Sequence, residues 1–316
     1  MPTIMTLGPY LFALAPIPKP SASEICIRPR AASVNPIDWT NLKFDAMVNA
    51  RPAVLGIEGS GVVESVGDDI TSFKPGGEVM CWVNRSQFNG AFQEIFTVKE
   101  AAITKKPTAL GFEKATSLAI GFLTAAAAVA IGLKVTIPGL SKSDTTTTRL
   151  RSILVLGGSS GVGSAAIQLL RLNLPFATII ATSSMVHHRH LESLGATKCL
   201  ERSVQQDAVA LKAGSPGGSR VDAILNAVGA GVDAPAVYEA LKSDGPRLYS
   251  LVITRPGTEL PTGIQATMVG GQSILDYDPT AMKLLTRLLE SGKYKPPVKV
   301  EVVGKDLQSI EKNLIR

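Results

Sequence analysis

Cysteine and histidine are scarce in this 316-residue chain, which has three of each. Cys26, Cys81 and Cys199 stand far apart, which excludes a disulfide framework and a four-cysteine zinc lobe and fits a reducing compartment. Clustered positive charge is also missing. Lys plus Arg exceed Asp plus Glu by 32 to 26, yet no run of five basic residues occurs. The net charge of +6 therefore points to anionic ligands and away from nucleic acid. No basic segment precedes the apolar N-terminal residues, and Pro9, Pro16, Pro18 and Pro20 interrupt them, so no signal peptide is expected. The uncharged stretch 115–133 is built largely from small residues and reads as a buried helix, not a membrane span. The expectation is a soluble, cytoplasmic protein.

Apolar material is ample. Hydrophobic residues make up 45% and charged residues 18%, enough for packed cores, and the length suits two domains. Within the first hundred residues, short apolar runs at 25–27, 53–57, 61–66, 78–83 and 94–98 alternate with Pro, Gly and Asp turn signals. That pattern predicts a small barrel or sandwich. Helices are expected over 111–120 and 123–133, followed by a polar insert at 138–151 that contains four consecutive threonines. From Ser152 onward strand and helix alternate: strands at 153–156, 178–182, 199–200, 221–227 and 247–253, helices at 164–172, 188–194 and 234–242. This is the period of a doubly wound parallel sheet. A helix over 279–291 and a strand over 298–303 complete the reading.

Residues 153–163 read ILVLGGSSGVG: an apolar strand, a glycine turn and a helix start. Gly158 and Gly161 would let the backbone turn and approach a pyrophosphate, with Ser159 and Ser160 between them and Val162 following. Gly163 would let helix and strand pack closely. Free N–H groups at the helix start would face the phosphates. An NAD site usually carries an acid at the end of the second strand. Here Ser183 and Ser184 stand there, followed by Arg189, and Arg202 follows the third strand. Hydroxyls and cations suit a 2′-phosphate, so NADPH is the expected cofactor.

Six segments in order resemble the medium-chain dehydrogenase/reductase superfamily: ASVNPIDW (32–39), LGIEGSGVVESVGDDITSFKPGGEV (55–79), GAFQEIFTV (90–98), ATSLAIGFLTAA (115–126), ILVLGGSSGVG and SLGATKCLER (193–202). They are most similar to zinc-independent quinone-oxidoreductase-like proteins and fungal trans-acting enoyl reductases. The resemblance implies an α/β protein with a GroES-like β-barrel catalytic domain over 1–122 and 275–316. A Rossmann nucleotide-binding domain over 123–274 would be inserted into it, and a cleft between the two would hold nicotinamide and substrate.

Zinc-binding relatives place Cys where this chain has Asn35-Pro36-Ile37-Asp38, and a His-Glu pair where it has Ile57-Glu58; all three histidines lie in the nucleotide domain. No catalytic metal is expected. In zinc-free relatives hydride reaches the β-carbon of an activated alkene, and the enolate takes a proton at the α-carbon. The resemblance therefore implies an NADPH-dependent enoyl or quinone reductase acting on an unsaturated carbonyl, which a polyketide synthase carrier could present in fungal secondary metabolism. It places Thr124 and Asn35 beside the nicotinamide as catalytic residues, and Val228, Leu251 and Ile253 around its ribose and amide. Asp38 would cap backbone N–H groups, and Trp39 would pack in the core. The chain departs from the pattern at Thr40 (Lys in several relatives), at Gly77 (usually Asp) and in ending at Lys312–Arg316, before a final strand. These departures keep open an alternative: a catalytically silent or non-redox NADPH-binding partner of a larger biosynthetic enzyme.

Overall fold

The computed structural model describes residues 2–6, 10–14, 17–44, 48, 50–83, 88–140, 149–244, 247–253 and 259–310. The threonine-rich segment 141–148 and the end of the chain, 311–316, lie outside them. Two compact units form: Met1–Ile120 with Leu285–Glu290 and Lys299–Arg316, and Gly121–Leu284 with Ser291–Val298.

In the first unit, β1 (Pro2–Thr6) and β2 (Tyr10–Leu14) make an antiparallel hairpin, and β4 (Ala53–Val54) pairs with the other edge of β1. The larger sheet contains β3 (Glu24–Ala32), β5 (Glu58–Val66), β6 (Glu78–Trp82), β7 (Phe96–Lys99) and β8 (Ile103–Lys105). Its order is β7-β3-β5-β6-β8, antiparallel throughout, a GroES-like half-barrel. Ile25, Ile27, Val63, Val79, Cys81, Phe96 and Ile103 fill its apolar face. Pro29 lies where the β3–β5 register shifts, a position that tolerates its missing ladder donor. Two helices belong here, α1 (Pro36–Phe44) and α2 (Phe112–Ala115). Pro36 opens α1, where its lack of an N–H is harmless.

The helix α3 (Ala119–Ala127) ends in a π-helical turn, Ala128–Gly132. Phe112–Gly132 is apolar enough to cross a membrane, but 78% of its most apolar window is buried inside the protein, as expected of a core helix.

The second unit is a six-stranded parallel sheet. Its strands are β9 (Ser152–Leu156), β10 (Thr178–Ser183), β11 (Lys198–Glu201), β12 (Ala223–Asn226), β13 (Leu248–Leu251) and β14 (Gln265–Met268). They lie in the order β11-β10-β9-β12-β13-β14, with the doubly wound reversal between β9 and β12. Every residue of β9 is buried, as a central parallel strand requires. Its helices are α4 (Gly161–Asn173), α5 (His188–Leu194), α6 (Ala208–Gly214) and α7 (Gly271–Tyr277); α8 (Ala281–Glu290) begins in this unit and its residues from Leu285 on belong to the first.

Three expectations need correction. Residues 234–242 form no α-helix; a 3₁₀ segment, Pro235–Ala240, stands there. Residues 298–303 form no strand: Val302 and Val303 are exposed, and an alternating pattern becomes a strand only when a partner pairs with it. Trp39 is not core: the residue is 38% exposed, and its ring meets Phe44 edge-on at 5.7 Å and carries the Lys43 ammonium 5.0 Å from its centroid.

Candidate active site: a nucleotide crevice and a buried carboxylate

At the end of β9 the chain must turn within a few residues to start α4. Gly157 makes that turn, with φ at +77°. Ser160 caps α4: its hydroxyl accepts from the Gly163 N–H at 3.0 Å and donates to the Gly157 carbonyl at 2.8 Å. A Cβ on Gly163 would stand 2.2 Å from the Gly157 carbonyl oxygen, so this glycine permits the close packing expected of it. Gly158 does likewise, since its Cβ would meet Ala181 Cβ at 2.8 Å; it packs against β10 and does not open the backbone to a ligand. Gly161 differs. A Cβ there would meet nothing within 4 Å, and it is the first residue of α4. Val162, half-buried, follows this open position, and Ser159, also half-buried, lies two residues before it.

The neighbouring strands end beside this turn. Val228, just past β12, covers Gly157, whose Cβ would lie 2.2 Å from the valine side chain. Leu251, buried, is the register partner of Asn226 across β12 and β13, and Ile253 lies exposed two residues beyond it. On the other side of the sheet, Ser183 is buried, and its hydroxyl donates to the Ser184 carbonyl at 3.2 Å. Arg189 in α5 and Arg202 after β11 are exposed. An acid does reach this edge. Glu201, opposite Ser183 in the β10–β11 register, accepts the Met185 N–H at 2.9 Å. Its contribution is invisible in sequence because it comes from the third strand, not the second.

In the first unit, Asn35 and Glu58 are brought together. Asn35 Nδ2 donates to Glu58 Oε1 at 2.9 Å, and the Ile120 N–H near the start of α3 donates to Oε2 at 3.0 Å. Asp38 caps as expected: its oxygens accept the N–H groups of Asn35 at 2.9 Å and Gly56 at 3.1 Å. Glu58 is 2% exposed, and burial pushes its carboxyl up to about 7 despite the two donors. Burial also raises the Cys81 thiol far above its usual range, so it is no thiolate nucleophile. Thr124 lies on α3, four residues after Ile120, and is buried. Among the described residues no three His, Cys, Asp or Glu side chains gather to hold a metal ion. Glu58 was the residue that sequence reasoning passed over.

Residues 21–108 match the alcohol dehydrogenase GroES-like domain. The chain belongs to the medium-chain dehydrogenase/reductase superfamily. It is 26% identical over 304 residues to the trans-enoyl reductase himH of Aspergillus japonicus, covering 92% of this chain and 85% of that one. The 2-methylene-furan-3-one reductase of Solanum lycopersicum is 29% identical over 89% of this chain and 66% of its own. The quinone oxidoreductase structure from Pseudomonas syringae pv. Tomato DC3000 superposes with a TM-score of 0.75 at 23% identity, covering 99% of this chain and 95% of that one. This member of the superfamily is an oxidoreductase of the medium-chain type, a class that typically binds a nicotinamide cofactor. The turn suits such a dinucleotide: the backbone at Gly161, the first residue of α4, is open, and a helix start favours phosphate.

Proposed function

We propose that this chain is an NADPH-dependent, metal-free reductase of activated carbon–carbon double bonds, of the enoyl or quinone type. The observation that carries the reading is the glycine turn at the strand-order reversal, with Gly161 open at the first residue of α4. Gly161 and Val162 would hold the pyrophosphate, with Gly163 packing α4 against the turn, and Val228, Leu251 and Ile253 would take the nicotinamide half. Ser183, Ser184, Arg189 and Arg202 would take the 2′-phosphate.

Reduced nicotinamide, when bound, supplies hydride. The alkene gains hydride at its β-carbon and a proton at its α-carbon, and between the two additions negative charge rests on the carbonyl oxygen. A hydrogen-bond donor at that oxygen lowers the barrier. We assign this role to the Thr124 hydroxyl and give Asn35 a place beside the nicotinamide. Among the described residues a Lewis acid has no ligand set: Asn35-Pro36-Ile37-Asp38 stands where zinc-binding relatives place Cys, Ile57 where they place His, and both Glu58 oxygens already accept N–H groups. The substrate class is the α,β-unsaturated carbonyl. The relatives named trans-enoyl reductase and furanone reductase support it, and a carrier-bound enoyl chain of a polyketide synthase in fungal secondary metabolism is its natural form. The three cysteines suit the cytoplasm.

The test is loss of NADPH absorbance with free enones, quinones and thioester-linked enoyl chains. Turnover with any member of the panel supports the reading. Tight NADPH binding with no turnover across the panel overturns it in favour of a silent binding partner.

A further inference from the structure

We propose that Glu58 is the positioning residue of this site, its two oxygens holding the Asn35 side chain and the start of α3 at the same time. The inference rests on the reading above, in which Asn35 and the α3 residue Thr124 serve the reductase. Oε1 accepts Asn35 Nδ2 at 2.9 Å and Oε2 accepts the Ile120 N–H at 3.0 Å. Asn35 is steadied from behind: Nδ2 also donates to the Ser33 carbonyl at 3.3 Å, and Asp38 holds its backbone N–H. The carboxylate is buried, so water does not substitute for either partner.

Both partners are donors, which makes the charge state of Glu58 decisive. Only the ionised carboxylate accepts on both oxygens. Protonation turns one oxygen into a donor facing another donor, and one partner must let go. Among the described residues, Asp38 from α1 and Cys81 from β6 are the titratable groups that face it, and the negative charge of Asp38 disfavours its ionisation. Burial is the larger cause, and the midpoint falls at about 7. The clamp is thus closed in mildly alkaline solution and opens as pH falls through neutrality. Glutamine offers one acceptor only, so Glu58→Gln fixes the open state at every pH.

The test begins with the protein alone. By NMR, the Ile120 backbone amide and the Asn35 side-chain amide should shift together between pH 5.5 and 8.5, with one midpoint at about 7. In Glu58→Gln both should stand still. In Asn35→Ala, which leaves the carboxylate in place and removes one of its two donors, the Ile120 midpoint should move upward. With NADPH and an active enone, wild-type kcat should fall on the acid side of that midpoint. In Glu58→Gln this limb should vanish, kcat should drop roughly tenfold, and the NADPH KM should hold. Flat amide shifts in the wild type, or a titration that survives Glu58→Gln, overturns the proposal. Absence of turnover with every substrate overturns the reductase reading instead and leaves the amide titration to decide Glu58.

Discussion

Asn226 donates from Nδ2 to the phenolic oxygen of Tyr249 at 2.6 Å, tying the end of β12 to the interior of β13. The same amide shapes the loop that follows. Its Oδ1 accepts the N–H groups of Val228 at 3.3 Å and Ala230 at 3.1 Å, and Nδ2 also donates to the Ala230 carbonyl. Asn226 and Tyr249 are both fully buried, and burial raises the phenol well above its usual range, so it stays neutral. Asn226→Leu strands several of these groups without partners. It should lower stability by about 1–3 kcal/mol and weaken dinucleotide binding as Val228 shifts. Urea denaturation and a cofactor titration on the one variant check both effects.

The glycine turn makes a contrast of two alanines. Gly163→Ala places a methyl 2.2 Å from the Gly157 carbonyl oxygen and 2.9 Å from Gly158 Cα, backbone atoms with no freedom to yield. Stability should fall steeply and binding with it. Gly161→Ala meets nothing within 4 Å. Its melting temperature should hold or rise slightly, since alanine favours a helix by up to about 1 kcal/mol over glycine. Cofactor affinity should nevertheless drop at least roughly tenfold, as the methyl occupies the phosphate's space. Unchanged affinity in Gly161→Ala would show that no phosphate approaches there.

Glu201 and Arg189 should pull cofactor affinity in opposite directions. Arg189→Glu should weaken NADPH by about 1–3 kcal/mol and leave NADH nearly untouched. Glu201→Gln keeps an acceptor for the Met185 N–H and removes a negative charge near Ser183. It should tighten NADPH by roughly 2- to 10-fold, more at low salt. Calorimetric titration of both cofactors decides. Equal or stronger NADH binding by the wild type would refute the 2′-phosphate assignment.

The raised Glu58 carboxyl also has a consequence for stability. Its folded value, about 7, lies above the ordinary 4.5, so the folded state holds this proton more tightly than the unfolded chain. The stabilisation is fully present below about 4.5 and is lost as pH rises through about 7. Measured against Glu58→Gln, where other groups cancel, the wild type should lose about 3 kcal/mol between pH 4.5 and 8. The closed clamp is therefore the less stable form, a cost accepted where the site is assembled. A difference that does not change with pH would place the carboxyl at its ordinary value.

Thr124→Val keeps the shape of the side chain and removes the hydroxyl. Turnover should fall by ~10–1,000-fold with NADPH affinity little changed, as for loss of one positioned donor. Normal turnover together with a lower melting temperature would assign the hydroxyl to packing alone.

Much of the nucleotide unit was legible in the chain. The all-apolar run that becomes β9, the glycines after it and the serine that caps α4 are consecutive, and each acts on its near neighbours. The strand–helix alternation likewise announced the parallel sheet. The buried run at 115–133 could be read from its small residues, and Asp38 from its place three residues after the N–H it caps. Local signals failed where the outcome depended on what lay opposite. Residues 298–303 alternate like a strand yet pair with no strand among the described residues, and Trp39 looks like core yet lies on the surface of its own helix.

What the sequence determined by itself, then, is the set of short-range structures: which segments extend, which coil, and where the backbone must turn within a few residues. Tertiary structure decided the chemistry of the carboxylates. Glu58 finds Asn35 at a separation of 23 residues and Ile120 at 62, and Glu201 meets Met185 only because parallel pairing sets it against Ser183. The physical reason is that a carboxyl's proton affinity and its partners depend on how much water is removed around it and which donors the fold brings near, and neither quantity is a property of neighbouring residues in the chain.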